Sequence, residues 1–386
     1  MSTQITINQH YVPQFLLGGF DIADGKIPKV HIFDAERNVV RQNQSIKEVF
    51  SQNYFYDENN EIENFLSSKI EAPASKLING FRRNDFRLLN NGGTELIKFI
   101  CCQNSRTVEG REDAINFINA HFYQIVSNLS RLNDLKITDP EKFKIRPSDK
   151  DSMRYFNAAQ ALSGVIDSKG MEDLQFHILI NKTQKRFILS DHAISRYNWL
   201  HRGLEDPRIG SMLIKGVQLF LPLSGDMYLC AYDSKSYKYG ERASDVSELK
   251  CEQDADWLNQ LQMRSARSFI AFTSLHMVDY LRKLYASFYG KKIYHRKSLH
   301  LGEEDVDNDN LKTRHIVYTK QIQIIKKPTF FKVLKKSREK AQYFEERDPE
   351  VSHALMMLKN KIREDRVSNQ SLTSHPVKQN KKQDLH

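Results

Sequence analysis

The apolar positions change their period several times along the chain. Near the N-terminus Lys29-Val30-His31-Ile32-Phe33-Asp34 interleaves apolar and polar side chains. With Arg37-Asn38 standing before Val39-Val40, this predicts a β-hairpin. Residues 45–50 predict one helical turn, and Tyr54-Phe55-Tyr56 a further short strand. From Glu61 the spacing lengthens. Ile62, Phe65, Leu66, Ile70, Leu77, Ile78 and Phe81 fall on one helical stripe, which Pro73 should kink or divide. Residues 96–103 continue the helical middle, and Ile115, Ile118, Phe122, Ile125, Val126, Leu129 and Leu132 mark a long amphipathic face. After a polar connection over 136–147, Met153, Phe156, Ala159, Ala161, Leu162 and Val165 mark another helix, closing near Gly164 or Gly170.

The period then returns to two. Residues 174–180, a polar turn at 181–185 and residues 186–190 predict a hairpin. Residues 217–223, the Ser224-Gly225-Asp226 turn and residues 227–232 predict a second. Between them, 199–216 contains Gly203, Pro207 and Gly210 and reads as a long surface loop able to cover a site. Helical spacing resumes from Asp254 to about Gly290, with Trp257, Leu258, Leu261, Ala266, Phe269 and Ile270 among its apolar positions. Beyond it lie an acidic linker at 301–310, a strand-like stretch at 312–327 and a charge-rich, partly helical stretch at 330–366. The pattern predicts an α+β fold: an N-terminal β segment, a helical middle, antiparallel hairpins, a closing helix and a basic C-terminal extension. Residues 1–290 read as one α+β domain, 291–367 as the extension and 368–386 as a disordered tail.

One stretch places ring and amide chemistry among large apolar side chains: His10-Tyr11-Val12-Pro13-Gln14-Phe15-Leu16-Leu17-Gly18-Gly19-Phe20. Pro13 fixes its own φ and biases Val12 toward extended backbone, so 10–14 should not be regular helix. Alternation would then put His10 and Gln14 on the same side, where both can meet one ligand. Gly18-Gly19 permits a bend before Phe20 re-enters the core. The alternative is that His10 is a structural histidine satisfied by nearby backbone.

Composition narrows the class. The chain has 386 residues, of which 40% are hydrophobic, with 22 Phe and 16 Tyr, enough to bury a substantial core. No run of about 18 apolar residues occurs, and the N-terminus lacks the basic start and apolar stretch of a secretory signal. The expectation is a soluble, cytoplasmic protein with no membrane partner. Cys101, Cys102, Cys230 and Cys251 have no paired C-x-x-C spacing, which suggests neither a zinc ribbon nor a disulfide framework. Net charge is +10, and residues from Lys291 onward, with 22 Lys and Arg against 13 Asp and Glu, carry +9 of it. Any non-specific nucleic-acid contact would therefore fall to the tail. Lys326-Lys327, Lys332, Lys335-Lys336, Arg338 and Lys340 stand near Phe330-Phe331, a spacing suited to phosphate with aromatic support.

The opening stretch resembles the start of the family known as domain of unknown function 4238 (DUF4238). Three later stretches fit the same pattern in order and approximate spacing: Gln103-Asn104-Ser105-Arg106-Thr107, Phe187-Ile188-Leu189-Ser190-Asp191 and Phe220-Leu221-Pro222-Leu223-Ser224. Leu258-Asn259 followed by Ala266 is a fourth, weaker match, and the resemblance spans roughly residues 8–275. The chain departs from the pattern at His192-Ala193, where Asn-Pro is expected, and at Gly225, where a proline often follows the Pro-Leu-Ser run.

The resemblance collects His10, Gln14, Gln103, Arg106, Ser190, Asp191 and Asn259 as site residues, and it supplies no activity. Read chemically, His10 can act as general base and Asp191 can orient it or bind a metal. Arg106 with Gln103 can hold an anionic group, alongside Gln14 and Asn259 as ligand-binding side chains. The competing reading is a buried polar network in which Arg106 pairs with Asp191. The chain carries no G-x-G-x-x-G, G-x-x-x-x-G-K-[ST], G-x-S-x-G or H-E-x-x-H signature, and no cofactor can be named. Ser190-Asp191-His192 is not a triad, because neighbours on a strand face opposite ways. Asp305, Asp307 and Asp309 lack EF-hand spacing, so no metal site is expected. The leading functional expectation is a protein whose polar pocket binds or senses an unknown ligand, with anions among the candidates. The alternative is a phosphodiesterase- or nuclease-like hydrolase with His10 as base.

Overall fold

The computed structural model describes residues 5–22, 27–132, 145–206, 208–240, 244–288, 291–300, 315–324, 326–339 and 345–373. It has an α+β fold. Strand β1 (Asn8–His10) leads to Pro13, whose extended backbone (φ −61°, ψ 144°) caps the short helix α1 (Gln14–Leu17). The Pro13 carbonyl accepts the N–H of Leu16, so strand-like alternation ends before Gln14. Strands β2 (Lys29–Asp34) and β3 (Val39–Ser45) form the N-terminal hairpin. A turn in which Glu48 N–H reaches the Ser45 carbonyl then leads into β4 (Ser51–Asn53), which pairs with β1. The strand thus precedes Tyr54, and Phe55 and Tyr56 enter the core instead.

Helix α2 (Glu61–Phe65) passes through a π-helical stretch, Leu66–Glu71, into α3 (Ala72–Arg82). Pro73 stands in the first turn of α3, and the wider π spacing before it accommodates the missing N–H. Arg82, at the end of α3, donates to the carbonyls of Phe15, Leu16 and Leu223 and so pins the opening stretch. Gly19 lies against this contact, where a Cβ would fall 2.1 Å from the Leu223 carbonyl oxygen. Helices α4 (Leu89–Ser105), α5 (Val108–Leu132) and α6 (Lys150–Asp167) complete the helical middle. At Gly164 the backbone of α6 approaches α4 so closely that a Cβ would lie 2.5 Å from the Cys101 carbonyl oxygen.

The remaining strands are β5 (Gln175–Asn181), β6 (Leu189–Ser190), β7 (Ser195–Tyr197), β8 (Glu205–Asp206), β9 (Gln218–Ser224), β10 (Met227–Tyr232), β11 (Tyr237–Tyr239) and β12 (Val246–Leu249). After helix α7 (Glu252–Ser265) come β13 (Phe269–Phe272), helix α8 (Val278–Ala286), β14 (Tyr294–His300), β15 (His315–Gln321), β16 (Phe331–Val333) and helices α9 (Lys335–Glu339) and α10 (Pro349–Thr373). The central sheet runs β12-β5-β10-β9-β7, and a second sheet runs β3-β2-β13-β6. The predicted β9–β10 hairpin forms. The predicted hairpin over 174–190 does not, because β10 and β12 occupy both edges of β5. Leu189 and Ser190 pair with β13 instead. The helix expected over 254–290 stops at Ser265 and is interrupted by β13, which lies between β2 and β6.

One further expectation is corrected by packing. The 199–216 segment is not an open loop: Trp199, Leu200, Ile209 and Ile214 are buried, and β8 pairs with β15. The extension also packs against the elements before it. Strand β16 pairs with β11, and Phe330 and Phe331 are buried in an aromatic core with Trp199, Tyr237, Tyr239 and Trp257. Those two rings are therefore unavailable as aromatic support for nucleic acid. Arg347, 5% exposed, pairs with Asp173 at 2.6 Å and donates to the carbonyls of Gly170 and Met212. The expected acidic linker at 301–310 lies outside the described residues, as does the tail beyond Thr373; α10 runs past the expected start of disorder at Ser368. Among the described residues no helix is long and apolar enough to cross a membrane.

Candidate functional site

Two buried polar networks meet at the junction of α4 and α5. The first is built by the opening stretch. Gln103, wholly buried on α4, donates from Nε2 to the Tyr11 carbonyl at 2.9 Å, and its Oε1 accepts from Arg106 Nε at 2.8 Å. Arg106, 1% exposed, pairs through Nη1 with Glu71 at 2.6 Å. His10 lies close enough to feel both charges: Glu71 raises its pKa and Arg106 lowers it, while burial, the largest effect, holds it below the ordinary histidine value. Its Nε2 is 3.1 Å from the Ile46 carbonyl oxygen, which only a protonated nitrogen can satisfy. Glu63 borders the same group. Burial, then the Glu71 carboxylate, pushes its pKa up to about 7.

The second network is organised by the turn after β6. Asp191 accepts the backbone N–H groups of Arg267, Ser268 and Phe269 at 2.7, 2.9 and 3.1 Å, fixing the start of β13. Burial raises its pKa to about 6 despite these bonds. Ser190 donates to the His192 carbonyl at 2.6 Å, and Gln262 of α7 accepts from the Ser190 N–H. Asn259 accepts from Ile188 N–H and donates to the Arg186 carbonyl, clamping the chain ahead of β6.

Thr107 joins the two networks. Its Oγ1 lies 2.5 Å from His192 Nδ1 and accepts the Gly110 N–H at 3.1 Å. The Thr107 hydroxyl keeps a second lone pair beside the one that takes the Gly110 N–H, so its contact with Nδ1 fits either neutral tautomer of the imidazole. Burial, reinforced by Arg196 and Lys292, lowers the His192 pKa to about 3, so the ring is neutral at physiological pH.

His192 lines a cleft of about 790 Å³ with Asn104 and Ser105 at the end of α4. One wall is cationic: Arg196 of β7, Arg264 of α7, Arg267 and Lys292. Arg264 stacks 3.9 Å from the Phe288 ring centroid, donates to the Lys291 carbonyl and has a buried Nε without a partner among the described residues. The facing wall is α5, whose Glu109, Glu112, Asp113, Asn116 and Phe117 all line the cleft. That spacing is one helical stripe. Ion pairs cross between the walls at 3.4 Å (Lys292–Glu109), 3.6 Å (Arg196–Asp113) and 3.7 Å (Arg267–Glu109). Among the described residues no group of three or more His, Cys, Asp or Glu is arranged to hold a metal ion.

Comparison with protein families matches residues 8–275 to the family described as protein of unknown function (DUF4238). The chain belongs to that family. No curated protein and no solved structure matches it.

Of the residues singled out within the DUF4238 region, His10, Gln103 and Arg106 come together. Gln14 does not join them: it opens α1 and its side chain is exposed, because the helix turns it off the face that alternation assigned. Asp191 influences Tyr11 electrostatically, yet its carboxylate is committed to backbone N–H groups. Ser190 and Asn259 likewise hold backbone. Arg106 pairs with Glu71, not with the Asp191 expected of a buried network. The cleft takes the intervening members of the same stretches, Asn104 and Ser105 beside Gln103 and Arg106, and His192 after Asp191. The departure at His192 flagged this position. Arg196, Arg264, Arg267 and Lys292 carried no comparable local signal. Lys292, Ile293 and Tyr294 lie beyond the matched residues, so the segment after the DUF4238 region completes the cleft.

Proposed function

We propose that this DUF4238 protein is a cytoplasmic ligand-binding protein that holds a small anion in the cleft between α5 and the Arg264–Lys292 wall. The single observation behind this reading is the convergence of four cationic side chains with His192 around one cavity. Such donors suit a phosphate or carboxylate group, which would replace the Glu109 and Asp113 carboxylates as their partner. On this reading Gln103 and Arg106 brace the α4–α5 junction from behind, and Asp191 and Asn259 fix the turn that presents His192.

A hydrolase with His10 as general base is the weaker alternative. Its Nε2 is directed at the Ile46 carbonyl, and His10 is not among the residues lining the cleft. The test is a thermal-shift titration of the full chain with inorganic phosphate, citrate and AMP, repeated on Arg267→Gln/Lys292→Gln, a pair of partly exposed sites. The anions should raise Tm in the natural chain and lose that effect in the variant. No shift with any anion, or equal shifts in both proteins, would overturn the assignment.

A further inference from the structure

Strands β11 and β16 form a two-stranded ribbon whose faces differ in kind. Tyr237, Tyr239, Phe331 and Val333 turn into the aromatic core, and the one exposed residue of each strand is a lysine, Lys238 and Lys332. The antiparallel register sets these two directly opposite each other. Like charges at a cross-strand position repel and destabilise the pairing unless an opposite charge lies between them. Among the described residues neither lysine has an ion pair. Carboxylates near the ribbon are committed elsewhere: Asp233 to the Gly216 N–H and the Ser236 hydroxyl, Asp254 to Thr329, and Asp348 to Lys235. The chain beside β16 adds Lys326, Lys335 and Lys336, all exposed and likewise without an ion pair among the described residues.

We infer that the outer face of this ribbon binds the phosphate backbone of a nucleic acid. A duplex carries one negative charge per about 1.7 Å of its axis, so a row of phosphates offers the closely spaced anions that Lys238 and Lys332 lack in the free chain. Binding relieves the repulsion built into the ribbon. Contacts of this kind reach phosphates and leave the base edges unread, so the recognition is independent of sequence. A membrane surface fits less well. Lysine-mediated membrane attachment takes apolar side chains alongside the charges, and no large apolar side chain is exposed among the described residues of 231–240 and 324–337. The face is separate from the anion cleft, none of whose lining residues belongs to the ribbon. Lys238 lies inside the matched DUF4238 residues and Lys332 beyond them, so the face is complete only when the C-terminal extension docks.

Fluorescence anisotropy of the full chain with a labelled oligonucleotide, single-stranded and duplex, from about 50 to 200 mM salt tests this. Both forms should bind at low salt and weaken steeply as salt rises. Lys238→Gln/Lys332→Gln should bind about tenfold more weakly at low salt, with a duplex salt slope shallower by about 1.8, the share of two phosphate contacts. Its Tm should equal or exceed that of the natural chain, because a repulsion has been removed. Lys378→Gln/Lys381→Gln/Lys382→Gln, near the C-terminus, should bind as the natural chain does. No binding at low salt, undiminished affinity in the ribbon variant, or a comparable loss in the C-terminal variant would overturn the inference. So would a lower Tm in the ribbon variant, or tighter binding to phosphatidylserine vesicles than to either oligonucleotide.

Discussion

The Thr107 hydroxyl and the His192 imidazole are hydrogen-bonded at 2.5 Å, 85 residues apart in the chain. This contact joins the α4–α5 junction to the turn after β6, and so connects the network behind the cleft with the cleft lining.

Thr107→Val keeps the shape and removes the hydroxyl, leaving Nδ1 and the Gly110 N–H without their partner. The expected loss is about 1–3 kcal/mol, read from urea unfolding, together with weakened anion binding. Unchanged stability and binding would show that the contact fixes neither.

Arg106, wholly buried, pairs with the partly exposed Glu71, and removing the carboxylate strands the guanidinium. Arg106→Met should cost about 3–5 kcal/mol, and Glu71→Met should cost less when introduced on top of it than alone. A double-mutant cycle of unfolding free energies measures the coupling; strict additivity would contradict the pairing.

Glu63 should make stability fall as pH rises. Its folded pKa of about 7 stands above the usual carboxylate value of 4.5, so from pH 4.5 upward the unfolded chain ionises first and the folded chain is disfavoured until Glu63 also ionises. Glu63→Gln should therefore gain nothing near pH 4 and up to about 2–3 kcal/mol above pH 7. A gain independent of pH would point to packing instead.

A chain ending at residue 290 should fail to unfold cooperatively, because it loses Ile324, Phe330 and Phe331 from the aromatic core and Arg347 from Asp173. A chain ending at residue 373 should match the full chain. Calorimetry of the two distinguishes a structural strap from a dispensable appendage.

How much of this was legible in the sequence depends on how local the cause was. The β9–β10 hairpin could be read because Ser224-Gly225-Asp226 and the flanking alternation lie within one short stretch. Strand β13 could not, since Phe269-Ile270-Ala271-Phe272 also suits a helix and what extends it is the Asp191 carboxylate, 76 residues upstream in its bond to Arg267. Gln14 was misplaced because Pro13 begins a helix as readily as it continues a strand. His10, Gln103 and Arg106 were found through motif resemblance. The cationic wall is assembled from β7, α7, the link from α7 into β13 and the segment after α8, and no spacing within the chain announces such a convergence.

The most direct test is to see which histidine a ligand touches. The chain has 13 histidines, and nitrogen-detected NMR of the imidazoles, with His192→Gln and His10→Gln to assign two of them, follows each during a phosphate or AMP titration. The account predicts that His192 begins as a neutral imidazole and that its ring-nitrogen signals move with saturation while His10 stays in place. Movement of His10 with a still His192 would contradict it and return the site to the opening stretch.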